Sequence, residues 1–161
     1  MSNSNQHLAT FGAGCFWKTE NEFLSVPGVI KTSVGYMGGD FPHPSYLDVV
    51  ARITGHAEVA QLEYNPEIVS YEELLKVFWR IHDPTSLNRQ GADRGEQYRS
   101  VIFYHTPEQL QIARKSQQQL QQSGKYNQDI VTEIKPAKEY YLATEDHQQY
   151  LKQKRNRSLK N

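Results

Sequence analysis

The chain has 161 residues, enough for one domain with a sizeable core and too few for two ordinary ones. Its 18 basic and 18 acidic residues cancel to a formal net charge of zero, which removes the usual electrostatic support for a nucleic-acid or membrane-surface role. No apolar run approaches the length of a bilayer span or a signal-peptide core, so we expect a cytoplasmic protein with no membrane partner.

The first predicted elements are a strand and a helix that meet at a glycine turn. Apolar residues from Leu8 lead into Gly12-Ala13-Gly14, and the Glu-rich segment from Thr19 to Val26 lacks Gly and Pro. This pattern indicates strand, tight turn and helix, with Cys15 at or near the helix start. Free N–H groups at a helix N-terminus can lower a cysteine pKa from about 8.5 to roughly 3.5–7.5. We therefore expect a reactive thiolate, although a lone cysteine is more commonly a small buried residue.

Cys15 is the only cysteine in the chain. No disulfide within the chain and no cysteine-rich zinc site can form, and no other combination of side chains has the spacing of a metal site. The sequence therefore predicts no metal.

A predicted strand from Val29 to Tyr36 is followed by an irregular loop and then by a second strand from His56 to Tyr64. The period of two puts Glu58 on one face with Ala60, Leu62 and Tyr64. A carboxyl on an apolar face is desolvated, which raises its pKa and suits a general acid. If that face meets solvent at its His56 end, Glu58 is an ordinary surface charge. Both interpretations stay open.

The strongest helix signal follows. Ser70 and Glu73 have the spacing of a capping box, and apolar side chains then recur at helical spacing, which predicts a helix from Tyr71 to His82. His82 is expected to interact favourably with the dipole at the helix C-terminus. The remaining predicted elements are a long polar loop over 83–97, a strand over 101–104, a helix from Thr106 to Gly124, a strand over 129–135 and a tail of helical propensity from Glu145.

This order of elements predicts an α+β fold. We expect a two-layer α/β sandwich with a ferredoxin-like core, a mixed sheet and long irregular loops.

Four aromatic residues are further candidates for a site. Phe16 and Trp17 diverge by about 100° on a helix, so either one packs in the core or both wall a pocket at the helix start. Tyr46 and Tyr98 fall in the polar loops, where a phenol can donate a hydrogen bond to a bound oxygen. Taken singly, each tyrosine is more commonly a packing residue.

Several short motifs, taken in order and spacing, resemble the A-type peptide methionine sulfoxide reductases from about Leu8 to Leu151. They are Gly14-Cys15-Phe16-Trp17, Ser45-Tyr46, Thr54-Gly55-His56-Ala57-Glu58, His82-Asp83-Pro84-Thr85, Asn88-Arg89-Gln90-Gly91, Asp93 and Gln97-Tyr98-Arg99-Ser100. The resemblance implies an enzyme that reduces methionine-S-sulfoxide, free or in oxidised proteins, and so repairs oxidative damage. It implies a single catalytic domain over residues 1–161, for which we expect frayed tails at 1–6 and about 152–161.

The resemblance also implies a role for each motif residue. Cys15 attacks the sulfoxide sulfur and takes the oxygen as a sulfenic acid, while Glu58, Tyr46 and Tyr98 hold and protonate that oxygen. Phe16 and Trp17 are similar to the family's pocket for the S-methyl group. Asp93 corresponds to a residue that binds the substrate backbone. No metal or organic cofactor is implied.

One departure from the family concerns recycling. Lys18 stands where some members have a second, resolving cysteine in Cys-Phe-Trp-Cys. The resemblance then implies that an external thiol reduces the sulfenic acid, with glutathione or glutaredoxin expected and thioredoxin a less direct partner of what we expect to be a monomer. Two alternatives stay open: a one-cysteine thiol peroxidase, and a catalytically silent module that binds methionine-rich peptides.

Overall fold

The structure is a computed structural model that describes residues 7–160. The tail predicted for residues 1–6 lies outside the described residues. The strands are β1 (Leu8–Ala13), β2 (Val29–Met37), β3 (Ala57–Tyr64), β4 (Arg89–Gln90), β5 (Asp93–Arg94), β6 (Ser100–Tyr104), β7 (Glu133–Pro136) and β8 (Tyr141–Leu142). The helices are α1 (Phe16–Leu24), α2 (Tyr46–Val50), α3 (Tyr71–Arg80), α4 (Pro107–Gln122) and α5 (Tyr150–Lys160).

The main sheet has the order β7-β6-β1-β3-β2-β8. Its four central strands pair antiparallel as β6-β1-β3-β2, and with helices α1 and α3 as crossovers this is the ferredoxin-like arrangement. Strand β7 joins β6 in parallel, whereas β8 adds to β2 antiparallel. The predicted α+β fold with a mixed sheet is confirmed.

The main core lies between one face of this sheet and helices α1, α3 and α4. Phe11 of β1 stacks on Phe23 of α1 at 5.3 Å and on Phe78 of α3 at 5.1 Å between ring centroids. The capping box is present as predicted: the Ser70 hydroxyl accepts from the Glu73 N–H at 3.1 Å, and the Glu73 carboxylate accepts from the Ser70 N–H at 3.3 Å. The cap sets where α3 begins, and its apolar stripe then faces β1.

Two predicted elements differ in extent. The strand predicted over 129–135 is β7, which begins at Glu133 instead of Asp129 because the preceding N–H groups bond elsewhere. Ile130 donates to the Gln121 side chain, and Val131 donates to the Pro84 carbonyl. Helix α5 occupies the region expected to be a frayed tail. Its Lys, Gln and Arg residues are good helix formers, and the Arg155 guanidinium donates to Asn21 of α1 at 3.2 Å.

Candidate active site

Cys15 is the N-cap residue of α1. Gly14 precedes it with φ +95°, a left-handed conformation that an L side chain would strain, and the turn redirects the chain from β1 into the helix. The Cys15 carbonyl accepts from the N–H groups of Lys18 and Thr19, which closes the first turn. The predicted position of the half-buried thiol at a helix start is confirmed.

The expected low thiol pKa is wrong. Burial raises the pKa of Cys15 to about 11, and the nearby Glu58 carboxylate adds to that effect. The N–H groups of Trp17 and Lys18 act in the opposite direction, but they do not outweigh the loss of solvent. The group at rest near neutral pH is therefore a thiol and not a thiolate.

Glu58 lies on β3 and is 1% exposed, so the buried interpretation is the correct one of the two. Its Oε1 accepts from the Phe16 N–H at 3.1 Å, while Oε2 is buried with no hydrogen-bond partner among the described residues. Burial raises its pKa to about 8, which keeps the carboxyl protonated at neutral pH. A protonated, unpartnered oxygen is a hydrogen-bond donor without an acceptor.

The environment of Glu58 follows from the pairing of β2 with β3. Tyr36 lies directly opposite Glu58 in the register, and it packs against Phe16 at 5.6 Å between ring centroids. His56 secures the loop after β2, because its Nδ1 accepts from the Gly39 N–H at 3.0 Å and its Nε2 donates to the Phe41 carbonyl at 2.7 Å. Tyr36 was not predicted as a neighbour of Glu58, because the sequence shows it only as the end of the predicted strand from Val29 and does not reveal the strand register.

Phe16 and Trp17 both belong to one aromatic cluster beside α1. Phe16 is fully buried and lies 6.5 Å from Tyr46 between ring centroids. Trp17 is partly exposed and stacks on Tyr46 at 6.4 Å with 17° between the ring planes. Adjacent residues can share the cluster because Tyr46 packs against both of them. Phe16 therefore packs in a small core, and of the two rings only Trp17 has exposed surface, whereas a pocket wall formed by both stays a prediction.

The two remaining phenols converge on Glu58. Tyr46 is the first residue of helix α2 and not part of a loop, because Ser45 and Asp48 form a capping box there. Tyr98 ends a short 3₁₀ turn before β6. Burial and the Glu58 charge raise the pKa of Tyr46, and the same causes raise the pKa of Tyr98 to about 12. Both side chains are therefore protonated donors at neutral pH.

Asp93 comes from the β4–β5 hairpin, which the sequence predicts only as loop. Gln90, its partner in this hairpin, bonds the backbone of Asp83 and packs over Gly14. Asp93 and Cys15 line the same groove. The structure thus brings all seven predicted site residues together: Cys15, Phe16, Trp17, Tyr46, Glu58, Asp93 and Tyr98.

Comparison of the sequence and fold with known proteins identifies the family. A family model described as peptide methionine sulfoxide reductase matches residues 7–161. This chain belongs to that family. It is similar to peptide methionine sulfoxide reductase MsrA 1 of Nostoc sp. strain PCC 7120, with 64% identity over 92% of this chain and 91% of that protein. The reductase is therefore an oxidoreductase of the MsrA type that has a single cysteine.

Two solved structures of Mxr1 from Saccharomyces cerevisiae have similar folds. The reduced form has a TM-score of 0.84 at 39% identity and covers 91% of this chain and 84% of that one. Mxr1 in complex with Trx2 has a TM-score of 0.63 at 29% identity and covers 89% of this chain and 83% of that one.

His82 of the reductase does bond a carbonyl of the last turn of α3, but without a charge. Burial lowers its pKa to about 4. Nδ1 donates to the Phe78 carbonyl at 2.6 Å, so Nε2 of the neutral ring accepts from the Ser100 hydroxyl at 2.7 Å. A neutral hydrogen bond to the Phe78 carbonyl therefore takes the place of the expected interaction between a charged His82 and the helix dipole. The second bond, to Ser100, connects this end of α3 to β6.

His147 and Tyr150 were not predicted as site residues, yet both contact Trp17 of the predicted site. The Trp17 indole N–H donates to His147 Nδ1 at 3.1 Å, and Tyr150 stacks on Trp17 at 3.9 Å. No local pattern could reveal a contact between residues 130 positions apart. Within the described residues no group of three or more His, Cys, Asp or Glu could hold a metal ion, and no helix is long and apolar enough to cross a bilayer.

Proposed function

We propose that this reductase converts methionine-S-sulfoxide, free or in proteins, to methionine through a sulfenic acid on Cys15. The observation that carries the proposal is Glu58 Oε2, a buried and protonated acid oxygen beside the thiol that lacks an acceptor. A sulfoxide oxygen is an acceptor that must be protonated before it can leave sulfur. Glu58 supplies that proton.

The oxygen-transfer step balances without a cofactor. The Cys15 sulfur gives two electrons to the sulfoxide sulfur, the sulfur–oxygen bond of the substrate breaks, and the oxygen ends on Cys15 as S–OH. Methionine leaves with its sulfur reduced. Glu58 gives its proton to the sulfoxide oxygen, and the proton of the reacting thiol then passes to Glu58. One proton therefore ends on the oxygen of the S–OH group, and the carboxyl is unchanged after the step.

The two groups depend on each other electrically. The charge of an ionised Glu58 is one cause of the raised Cys15 pKa, whereas a protonated Glu58 removes that opposition to thiolate formation. The acid that protonates the oxygen therefore also lets the nucleophile form. Tyr46 and Tyr98, both protonated, donate hydrogen bonds to the same oxygen and stabilise the charge that develops on it.

The other site residues bind the rest of the substrate. Trp17, backed by the buried Phe16, forms the wall that accepts the S-methyl group, because a small apolar group is favoured against a ring face. Asp93 lies at the groove beside Cys15, where its carboxylate accepts from the substrate backbone. We propose the S epimer as the substrate, as the resemblance to the family implies, with its oxygen and its methyl group in separate subsites.

Recycling uses an external thiol, since the chain has one cysteine. A first thiol condenses with the sulfenic acid to give a mixed disulfide and water, and a second thiol releases Cys15. We propose glutathione or glutaredoxin, while the complex of Mxr1 with Trx2 supports a thioredoxin as the competing reductant.

We further propose that the protein is a monomer, since one chain supplies every site residue, and that it forms a single catalytic domain. We place it in the cytoplasm, where thiols are kept reduced.

A single turnover tests the chemistry. Reduced enzyme mixed with excess methionine-S-sulfoxide and no thiol is expected to release about one methionine per chain and to gain one oxygen at Cys15 by mass spectrometry. Cys15→Ser is expected to abolish the reaction, because a hydroxyl is a far weaker nucleophile. Faster turnover of hydrogen peroxide than of the sulfoxide would indicate a thiol peroxidase, and binding without turnover would indicate the silent peptide-binding module.

A second experiment identifies the reductant. Oxidised enzyme is mixed with glutathione, with glutathione plus glutaredoxin, or with reduced thioredoxin, and recovery of the Cys15 thiol is followed. We expect a glutathione mixed disulfide and faster recovery with glutaredoxin than with thioredoxin. The reverse order of rates would assign recycling to thioredoxin.

A further inference from the structure

The Trp17 indole is held on two sides by a segment from the other end of the chain. Its edge donates to His147 Nδ1 at 3.1 Å, and its face stacks on Tyr150 at 3.9 Å with 16° between the planes. The His147 ring also lies 4.6 Å from Tyr46 and 5.6 Å from Phe16 between centroids. One histidine therefore contacts three of the aromatic residues assigned to the substrate pocket.

We propose that His147 is a positioning residue that orients Trp17 and thereby sets which alkyl group the sulfoxide may carry. The inference rests on the proposed function, in which Trp17 lines the methyl pocket. His147 acts through Trp17 and does not itself have to touch the reacting atoms. Because Nδ1 accepts the indole proton, the ring is the tautomer with its proton on Nε2.

The segment that presents His147 is itself anchored to α1 and β2. The Gln148 side chain bonds the edge of β2: it accepts from the Val34 N–H at 2.8 Å and donates to the Val34 carbonyl at 2.9 Å. The Gln149 N–H donates to the buried Glu20 carboxyl at 2.7 Å, and Glu20 also accepts from the Thr32 hydroxyl at 2.6 Å. These anchors hold the acceptor of His147 at a set distance from the Trp17 ring.

Orientation matters because the pocket wall is a flat ring. If the hydrogen bond is lost, the indole can rotate about its side-chain torsions and the space beside the methyl group changes. In an apolar pocket, one methylene more or less alters the specificity constant by about 10–200-fold. We therefore expect an unrestrained Trp17 indole to discriminate less between a methyl and an ethyl group and to bind the methyl group less tightly.

The test compares His147→Ala with His147→Asn on two substrates, methionine-S-sulfoxide and ethionine-S-sulfoxide. We expect His147→Ala to raise KM for the methyl substrate about tenfold with kcat changed less than about threefold, because binding to the wall is made equally in the ground state and the transition state. The preference for methyl over ethyl should fall about fivefold. His147→Asn should restore most of both values, since its amide oxygen reaches the position of Nδ1.

His105 provides the matched control, as a partly buried histidine that shares a hydrogen bond of 2.8 Å with Thr10 far from the site. His105→Ala should leave KM and the methyl preference unchanged. In a Trp17→Phe background, which has no indole donor, His147→Ala should change KM no further. These two comparisons separate positioning of Trp17 from a general loss of stability.

The proposal is overturned if His147→Ala keeps the wild-type KM and methyl preference, or if His147→Asn is impaired as much as His147→Ala. Trp17 fluorescence gives a readout that does not need activity: the emission should shift in His147→Ala and show no such shift in the Trp17→Phe background. If the wild type fails to reduce either sulfoxide while the emission still shifts, the proposed function fails and the Trp17–His147 contact stands.

Discussion

The properties of Glu58 come from burial of a single carboxyl. We expect Glu58→Gln to lower the single-turnover rate of oxygen transfer by about 10²–10⁴-fold, because an amide cannot give up a proton to the sulfoxide oxygen. The wild-type rate should fall as pH rises through about 8, where the carboxyl loses its proton. Stopped-flow measurement of oxygen transfer from pH 6 to pH 9 checks the rate of the variant and the pH dependence of the wild type. If Glu58→Gln transfers oxygen as fast as the wild type, Glu58 is not the acid.

The same carboxyl makes stability depend on pH. Its pKa rises from 4.5 in water to about 8 in the folded chain, so the folded state binds this proton more tightly than the unfolded state. The resulting stabilisation is complete below about pH 4.5 and is lost as pH rises to about 8. Glu58→Gln should therefore gain in free energy of unfolding relative to wild type between pH 5 and pH 8.5, as measured in urea. A constant difference would contradict the shifted pKa.

Residue positions could be predicted better than residue properties. The glycine turn and the Glu-rich segment were sufficient to place Cys15 at a helix start. Its high pKa could not be predicted, because it depends on how much solvent the assembled fold excludes. The burial of Glu58 likewise depends on what covers the face of β3, which the period of two leaves open.

At the scale of elements, the two capping boxes form a matched pair. Ser70→Ala at the start of α3 should lower the free energy of unfolding by about 1 kcal/mol with kcat/KM unchanged, because that cap lies in a structural helix. Ser45→Ala at the start of α2 should cost less stability but lower kcat/KM several-fold, because Tyr46 is the first residue of this five-residue helix.

Urea unfolding and steady-state kinetics on both variants provide the check. Equal losses of kcat/KM in Ser70→Ala and Ser45→Ala would show that α2 has no special part in placing Tyr46.

Only one of these two capping boxes could be predicted from the sequence. Ser70 and Glu73 precede a long apolar stripe, whereas Ser45 and Asp48 precede too few residues for a periodic pattern.

At the scale of the whole molecule, charge balance has a measurable effect. Equal numbers of acidic and basic residues and a pI near 7.0 leave little repulsion between copies at neutral pH. Solubility in low salt should therefore be lowest near pH 7 and should rise at pH 5.5 and pH 8.5. Precipitation assays across this range check the expectation, and a maximum near pH 7 would contradict it.

The order of strands and helices was sufficient to predict a two-layer α/β sandwich, because strands and helices that alternate along one chain leave few topologies. The contacts of the C-terminal segment could not be predicted in this way. Gln148 and Gln149 look like ordinary helix formers in the sequence, and only the tertiary structure brings their hydrogen bonds to β2 and α1.

The packing of the segment around Tyr150 against Trp17 also matters for biosynthesis. Cys15 leaves the ribosome before the segment from His147 to Tyr150, and the β-α-β-β-α-β core can begin to fold while that segment is still being translated. The aromatic wall is complete only after the segment from His147 to Tyr150 has been translated and has docked on β2. A nascent chain therefore carries the proposed nucleophile without a finished pocket until this later segment emerges, and we expect full discrimination between substrates only from that point.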